Sequence, residues 1–161
     1  MCNKQRSLLG VLGALLLALV AVFAAGPAQA AVPPDRDLNQ VLTLPAAPAS
    51  TLSAAAVSPT ITPAVRTEHG RPGDDYTCPS GNLCLVVWDP TTVDYKVFFL
   101  YTCQLYALHY WQGWGNFYDA QTGGVTSYFY DQNMGELRRF TPEGSHNIDQ
   151  NWDPVWYVRN C

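Results

Sequence analysis

The chain has no run of basic residues; its longest is the pair Arg138-Arg139. Nothing in it neutralises a row of phosphates, which excludes nucleic acid and acidic lipid as partner classes. G-x-S-x-G, H-E-x-x-H and C-x-x-C are all absent, so the patterns that announce a serine nucleophile, a zinc peptidase or a paired-thiol metal site are missing. Ser145-His146 with Asp149 reads as a polar loop rather than part of a triad, and paired catalytic carboxylates are not signalled. No catalytic residue, metal or cofactor is expected. Residues 31–75 hold no Trp, Tyr or Phe.

What is present begins with a short basic start (Lys4, Arg6), an apolar run from Leu8 to Ala25, and Ala28-Gln29-Ala30. That order reads as a secretory signal peptide over 1–30 with an A-x-A cleavage site. After cleavage the chain keeps no membrane segment, and seven cations face thirteen acids, a net charge of −6. Residues 31–75, rich in Ala, Pro, Ser and Thr, bury too little apolar surface to offset their ordering entropy, and predict a disordered spacer or a removable pro-segment. Within it, Leu38, Val41 and Leu42 fall on one helical face, marginal at that length.

From Tyr76 to Cys161 come all five Trp, all nine Tyr and five of six Phe. This is the expected folded domain, 76–161. Short apolar runs at 83–88, 95–100, 125–130, 137–141 and 155–158, broken by Gly, Pro and Asp, predict an all-β sandwich or barrel. The chain also repeats itself at an offset of 42. Trp88 falls on Tyr130, Asp89 on Asp131, Asp94 on Glu136, Lys96 on Arg138 and Phe98 on Phe140. Each copy reads as strand, acidic turn, strand.

Four cysteines follow the signal segment: Cys78, Cys84, Cys103 and Cys161. In an exported small domain they predict two disulfides. CPSGNLC can close on itself around Pro79-Ser80-Gly81, leaving Cys103 for Cys161. A hairpin turning about Val93 and Asp94 instead places Trp88 opposite Phe99 and Cys84 opposite Cys103, with Cys78 left for Cys161. The first pairing is preferred and the second stays open.

The stretch from Tyr106 to Tyr118 carries Tyr106, Tyr110, Trp111, Trp114, Phe117 and Tyr118, with His109 as a further ring. Strand alternation cannot bury all of them, and Gly113 and Gly115 argue against one long strand. Exposed Trp and Tyr suit a binding surface.

The Cys-bracketed CPSGNLC start, a strand ending in Trp88-Asp89, the basic and aromatic return through Lys96 to Phe99, and the later Cys103 resemble a known group. It is that of small secreted bacterial peptidase inhibitors with a βγ-crystallin-like fold. The terminal NWDPVWYVRN, Asn151 to Asn160, is similar to the family's W-N-D-x-x-S-S-x-x-N closing segment, and GWGNFYDAQTG looks like a worn copy in the first half. The resemblance implies two Greek-key motifs packed as a sandwich over roughly Cys78 to Cys161. Its acidic turn favours glycine at positive φ; Tyr95 stands near that position in the first copy, and Gly135 comes about two residues early in the second. Calcium sites of that fold use a hydroxyl pair, which Trp156-Tyr157 replaces here, although Asp89, Asp119, Asp131 and Asp153 could gather round an ion.

The implied function is a monomeric extracellular inhibitor whose targets are zinc metallopeptidases that accept a bulky apolar residue after the scissile bond. Thr102-Cys103-Gln104-Leu105 offers such a residue, Leu105, beside a disulfide. A second reading is a cell-wall polysaccharide-binding module using Tyr110, Trp111 and Trp114 as stacking platforms. A third is a killer-toxin-like antimicrobial protein.

Overall fold

The computed structural model describes residues 39–49, 56–142 and 146–161; residues 1–38, with the expected signal peptide, and Ser145 lie outside them. The described residues form strands and connections only, in this order: β1 Gln40–Thr43, β2 Thr60–Thr62, β3 Arg66–Gly70, β4 Asp75–Cys78, β5 Leu83–Asp89, β6 Asp94–Leu100, β7 Leu105–His109, β8 Trp114–Asp119, β9 Ser127–Tyr130, β10 Glu136–Phe140, β11 Ile148–Asn151 and β12 Tyr157–Arg159. All pairings are antiparallel.

Two five-stranded sheets carry the fold, ordered β11-β8-β5-β6-β3 and β10-β9-β12-β7-β2. The first four-strand unit, β5 to β8, gives its third strand to the other sheet. The second unit, β9 to β12, returns its own third strand, β11. Between the sheets Leu83, Leu85, Val87, Phe98, Leu100 and Phe117 from one face meet Tyr106, Leu108, Phe129, Phe140 and Val158 from the other. Alternation explains this face: odd positions of β5 point inward, while Cys84 and Val86 point outward into a second cluster.

The internal repeat is visible in the hairpin registers. Val87 pairs with Lys96 and Leu85 with Phe98, and 42 residues later Phe129 pairs with Arg138 and Ser127 with Phe140. The two aspartates at the turns act alike: Asp89 Oδ1 accepts from Thr91 N at 2.9 Å and Asp131 Oδ1 from Asn133 N at 2.8 Å. Both therefore build Asx turns. The positive φ falls on Val93 (58°) in one and Met134 (65°) in the other. Gly135 is needed for closeness instead, because a Cβ there would lie 2.8 Å from Asp131 Oδ2. The second hairpin absorbs its different turn length in a bulge between Glu136 and Arg138.

Three expectations are corrected. First, residues 39–49 and 56–75 are not a disordered spacer. β1 pairs with β4, β2 with β7 and β3 with β6, so each large sheet gains an edge strand from before Tyr76. Backbone pairing and borrowed aromatics order a segment that has none of its own. Tyr95 OH donates to Ala46 O at 2.8 Å, Trp111 Nε1 to Thr60 O at 2.7 Å, and Tyr118 OH to Gln40 Oε1 at 2.7 Å. Leu42 and Leu44 cover the outer face of the β5 sheet with Tyr76 and Cys78. Second, the helical face through Val41 and Leu42 is a strand, with Leu42 inward and Val41 in solvent.

Third, the first hairpin turns earlier than the sequence suggests. Asp89 opposes Asp94, Trp88 opposes Tyr95, and Cys84 opposes Phe99. The Asx turn at Asp89 pulls the reversal to residues 90–93. Cys103 is thereby carried past the hairpin, and the observed disulfides are Cys78–Cys84 and Cys103–Cys161, the preferred pairing.

Candidate binding loop and aromatic surface

The connection from β6 to β7, residues 101–104, is an exposed loop held at several points. Cys103 is bonded to Cys161, with Cα atoms 5.3 Å apart. Behind it sits Asn160, fully buried, whose Nδ2 donates to Leu100 O at 3.2 Å and whose Oδ1 accepts from Gln104 N at 3.1 Å. Tyr106 OH donates to Thr102 O at 2.9 Å. The main chain is thus tied from the protein side at Leu100, Thr102, Cys103 and Gln104. Tyr101, Thr102 and Leu105 are exposed, and Gln104 is half-buried. Of the sequence-based loop residues, Thr102, Gln104 and Leu105 stand together here.

Beside the loop is an open hollow of about 350 Å3 whose lining includes Val65, Arg66, Phe99, Tyr101, Gln104 and Tyr106. The Arg66 guanidinium lies 4.0 Å from the centroid of the Phe99 ring and pairs with Glu68 at 2.8 Å. Tyr101 and Arg66 were not singled out by the sequence: Tyr101 is one aromatic among many, and Arg66 belongs to the segment expected to be disordered.

Comparison with protein-family models, curated proteins and solved structures finds no match to this chain. Function must therefore be argued from the surface itself.

The aromatic stretch divides. It forms β7 and β8 around a connection at 110–113, where Tyr110 and Gly113 have φ of 65° and 70°. Trp111 is a core residue, which corrects its assignment as a platform: its ring packs 4.7 Å from Phe98 and 5.0 Å from Trp152, centroid to centroid. Its Nε1–H is consumed by Thr60 O. Tyr110 and Trp114 remain in solvent, joined by Trp156. His109 Nε2 stands 3.3 Å from Thr62 Oγ1 at the pairing of β7 with β2.

The aspartates do not gather. Asp153 accepts from Gly113 N at 2.7 Å, and Asp119 Oδ1 accepts from Gln121 N and Nε2, both at 3.0 Å. Among the described residues no group of three or more His, Cys, Asp or Glu is placed to hold a metal. Burial pushes the Asp119 carboxyl up, only partly offset by the Gln121 hydrogen bonds. Burial also opposes ionisation of Asp89, but hydrogen bonds from Ser58 and Thr91 together with the Lys96 cation hold it below the usual carboxylate range.

Among the described residues, Ser58, Asp89 and Lys96 bring a hydroxyl, a carboxylate and an amine together, but with the wrong polarity for a hydrolytic site. The Ser58 hydroxyl donates to Asp89 Oδ2, while Lys96 Nζ donates to Ser58 Oγ at 3.1 Å and to Pro59 O at 3.0 Å. A lysine acting as donor does not remove the serine proton. The cluster fastens the segment leading into β2 onto the first hairpin.

Proposed function

We propose that the protein is a secreted inhibitor of extracellular peptidases, acting through the loop Tyr101–Leu105, with Leu105 as the residue that fills the target's pocket. The observation that carries this reading is the fixation of an otherwise exposed loop at Thr102, Cys103 and Gln104. A segment already ordered before it meets a cleft loses little further entropy on binding, which is what separates an inhibitor from a substrate. The Cys103–Cys161 bond also means that a cleavage between Cys103 and Leu105, as at Gln104–Leu105, leaves the two fragments covalently joined.

The strand exchange between β5–β8 and β9–β12 is the order a double Greek key of the βγ-crystallin kind takes, and supports assigning the fold to that class. Two disulfides favour an oxidising compartment. Intact-mass analysis of the exported protein checks the leader directly: cleavage after Ala30 is expected, together with the loss of four thiol hydrogens.

The functional test is a panel of purified secreted peptidases, weighted towards zinc enzymes with a large apolar pocket. Micromolar protein is expected to inhibit at least one of them, and Leu105→Asp to abolish that inhibition without changing the unfolding temperature. Full activity across the panel in the presence of the wild-type protein would sink the reading.

A further inference from the structure

The hollow beside the loop is part of the same surface as the loop. Tyr101, Thr102 and Gln104 line it, and all three belong to the segment 101–105. A partner seated on Leu105 and its neighbours therefore closes over the hollow. What the hollow holds must then be matched by that partner.

Its lining is electrically one-sided. Arg66 is the only charged residue in it, a cation on a chain whose formal net charge is −4. The pairing of β3 with β6 sets Arg66 opposite Phe99, and the guanidinium lies over that ring, 4.0 Å from its centroid. Phe99 is itself buried, so the ring is a fixed floor on which cation–π attraction holds the charge. Tyr101 forms a wall. It is 73% exposed, yet its ring is braced on Gly81, where a Cβ would lie 3.1 Å from Cε2. Gly81 lies inside the Cys78–Cys84 loop, and its N–H donates to Ala120 O at 2.7 Å.

Glu68 engages Arg66 through Nη2 only, at 2.8 Å, and both side chains are more than half exposed. An exposed pair of this kind contributes little to stability, and a guanidinium has further donors on Nε and Nη1 for a second carboxylate. Covering the hollow with an apolar or basic surface would strip water from Arg66 without pairing its charge, which is costly. A carboxylate removes that cost through charge-assisted hydrogen bonds.

We infer that the hollow receives an acidic side chain, Asp or Glu, from the rim of the target's cleft, with Arg66 as its partner. The contact selects among peptidases whose pockets accept Leu105 equally well, and Glu68 competes with the incoming carboxylate for the guanidinium. This rests on the reading of 101–105 as the inhibitory loop.

The test measures inhibition constants of the disulfide-intact protein against the most strongly inhibited enzyme of the peptidase panel. Arg66→Gln is expected to weaken inhibition about tenfold or more. Glu68→Gln is expected to strengthen it about threefold, because the guanidinium is released to the partner. Both substitutions break the same exposed ion pair on the same edge strand, so a merely structural role would move both constants in one direction. Arg71→Gln makes the same change in net charge just beyond the far end of β3, outside the hollow, and is expected to stay within about twofold of wild type. Raising the ionic strength should weaken the wild type more than Arg66→Gln. Unchanged unfolding temperatures establish that the variants fold. Failure of the wild type to inhibit any enzyme of the panel defeats the inhibitory reading and this inference with it. Inhibition that survives Arg66→Gln within about twofold, or that Arg66→Gln and Glu68→Gln weaken alike, overturns the carboxylate contact alone.

Discussion

The Trp152 indole donates its Nε1–H to the Val86 carbonyl at 2.9 Å, a bond from the second repeat into the first that passes over Gly115. A Cβ on Gly115 would lie 2.0 Å from Val86 O and 2.7 Å from Trp152 Nε1. Gly115→Ala is therefore expected to force backbone apart and cost about 3 kcal/mol. Trp152→Phe keeps most of the packing and leaves Val86 O unpaired, for about 1–3 kcal/mol. Urea unfolding of both variants measures the difference.

Val93 holds a left-handed backbone at φ 58° with its side chain in solvent. A β-branched residue is strained there. Val93→Gly is expected to stabilise by about 1 kcal/mol, the relieved strain exceeding the extra freedom of glycine in the unfolded chain. A higher urea midpoint at unchanged slope is the readout.

Two buried aspartates respond to pH in opposite senses. The Asp89 pKa is lowered in the folded protein, so its contribution is fully present above the unfolded value, near pH 4, and is lost as pH falls through the folded value. Asp89→Asn should be less stable than wild type at neutral pH by about 1–2 kcal/mol, with the gap closing in acid. Asp119 is raised, so it penalises the fold once pH climbs through its folded pKa, and the penalty is absent below the unfolded value. Asp119→Asn should gain about 1 kcal/mol at neutral pH and nothing in acid. Thermal unfolding between pH 3 and 7, about the span of carboxylate titration, distinguishes the two; parallel profiles would contradict the assignment.

The disulfides differ in reach. Cys103–Cys161 spans 58 residues and Cys78–Cys84 spans 6, which gives loop-closure contributions of about 4 and 2.4 kcal/mol. Replacing the first pair with serine is expected to lower the unfolding temperature more, and also to release residues 101–104. If inhibition is found, it should fall with the Cys103/Cys161 pair and survive loss of the Cys78/Cys84 pair.

The strands of the inner hairpins were legible because they have a buried face, but the first turn was not placed, because the Asx turn at Asp89 sets the reversal at residues 90–93 rather than about Val93 and Asp94. The compactness of CPSGNLC favoured the observed disulfide pairing without deciding it. β7 and β8 were not separable in advance: aromatics occupy both faces of Tyr106 to Tyr118, so no alternation shows, and only the backbone at Tyr110 and Gly113 reveals the break. β3 was invisible for another reason. Its residues are exposed or half-buried, and it joins the sheet through main-chain pairing that composition does not encode. At the candidate loop, Leu105 could be read as an apolar residue beside a disulfide, whereas Asn160 acts through burial that only the folded arrangement supplies.

The exchange of third strands makes the two halves inseparable although the chain between them is short. A cut in the connection from Gln121 to Thr126 would remove no strand pairing, and Cys103–Cys161 would still join the fragments covalently. The seam of the duplication is thus not a domain boundary. Half of this molecule is expected to have no stable existence, and a fragment carrying one repeat should persist only as a matched pair with the other.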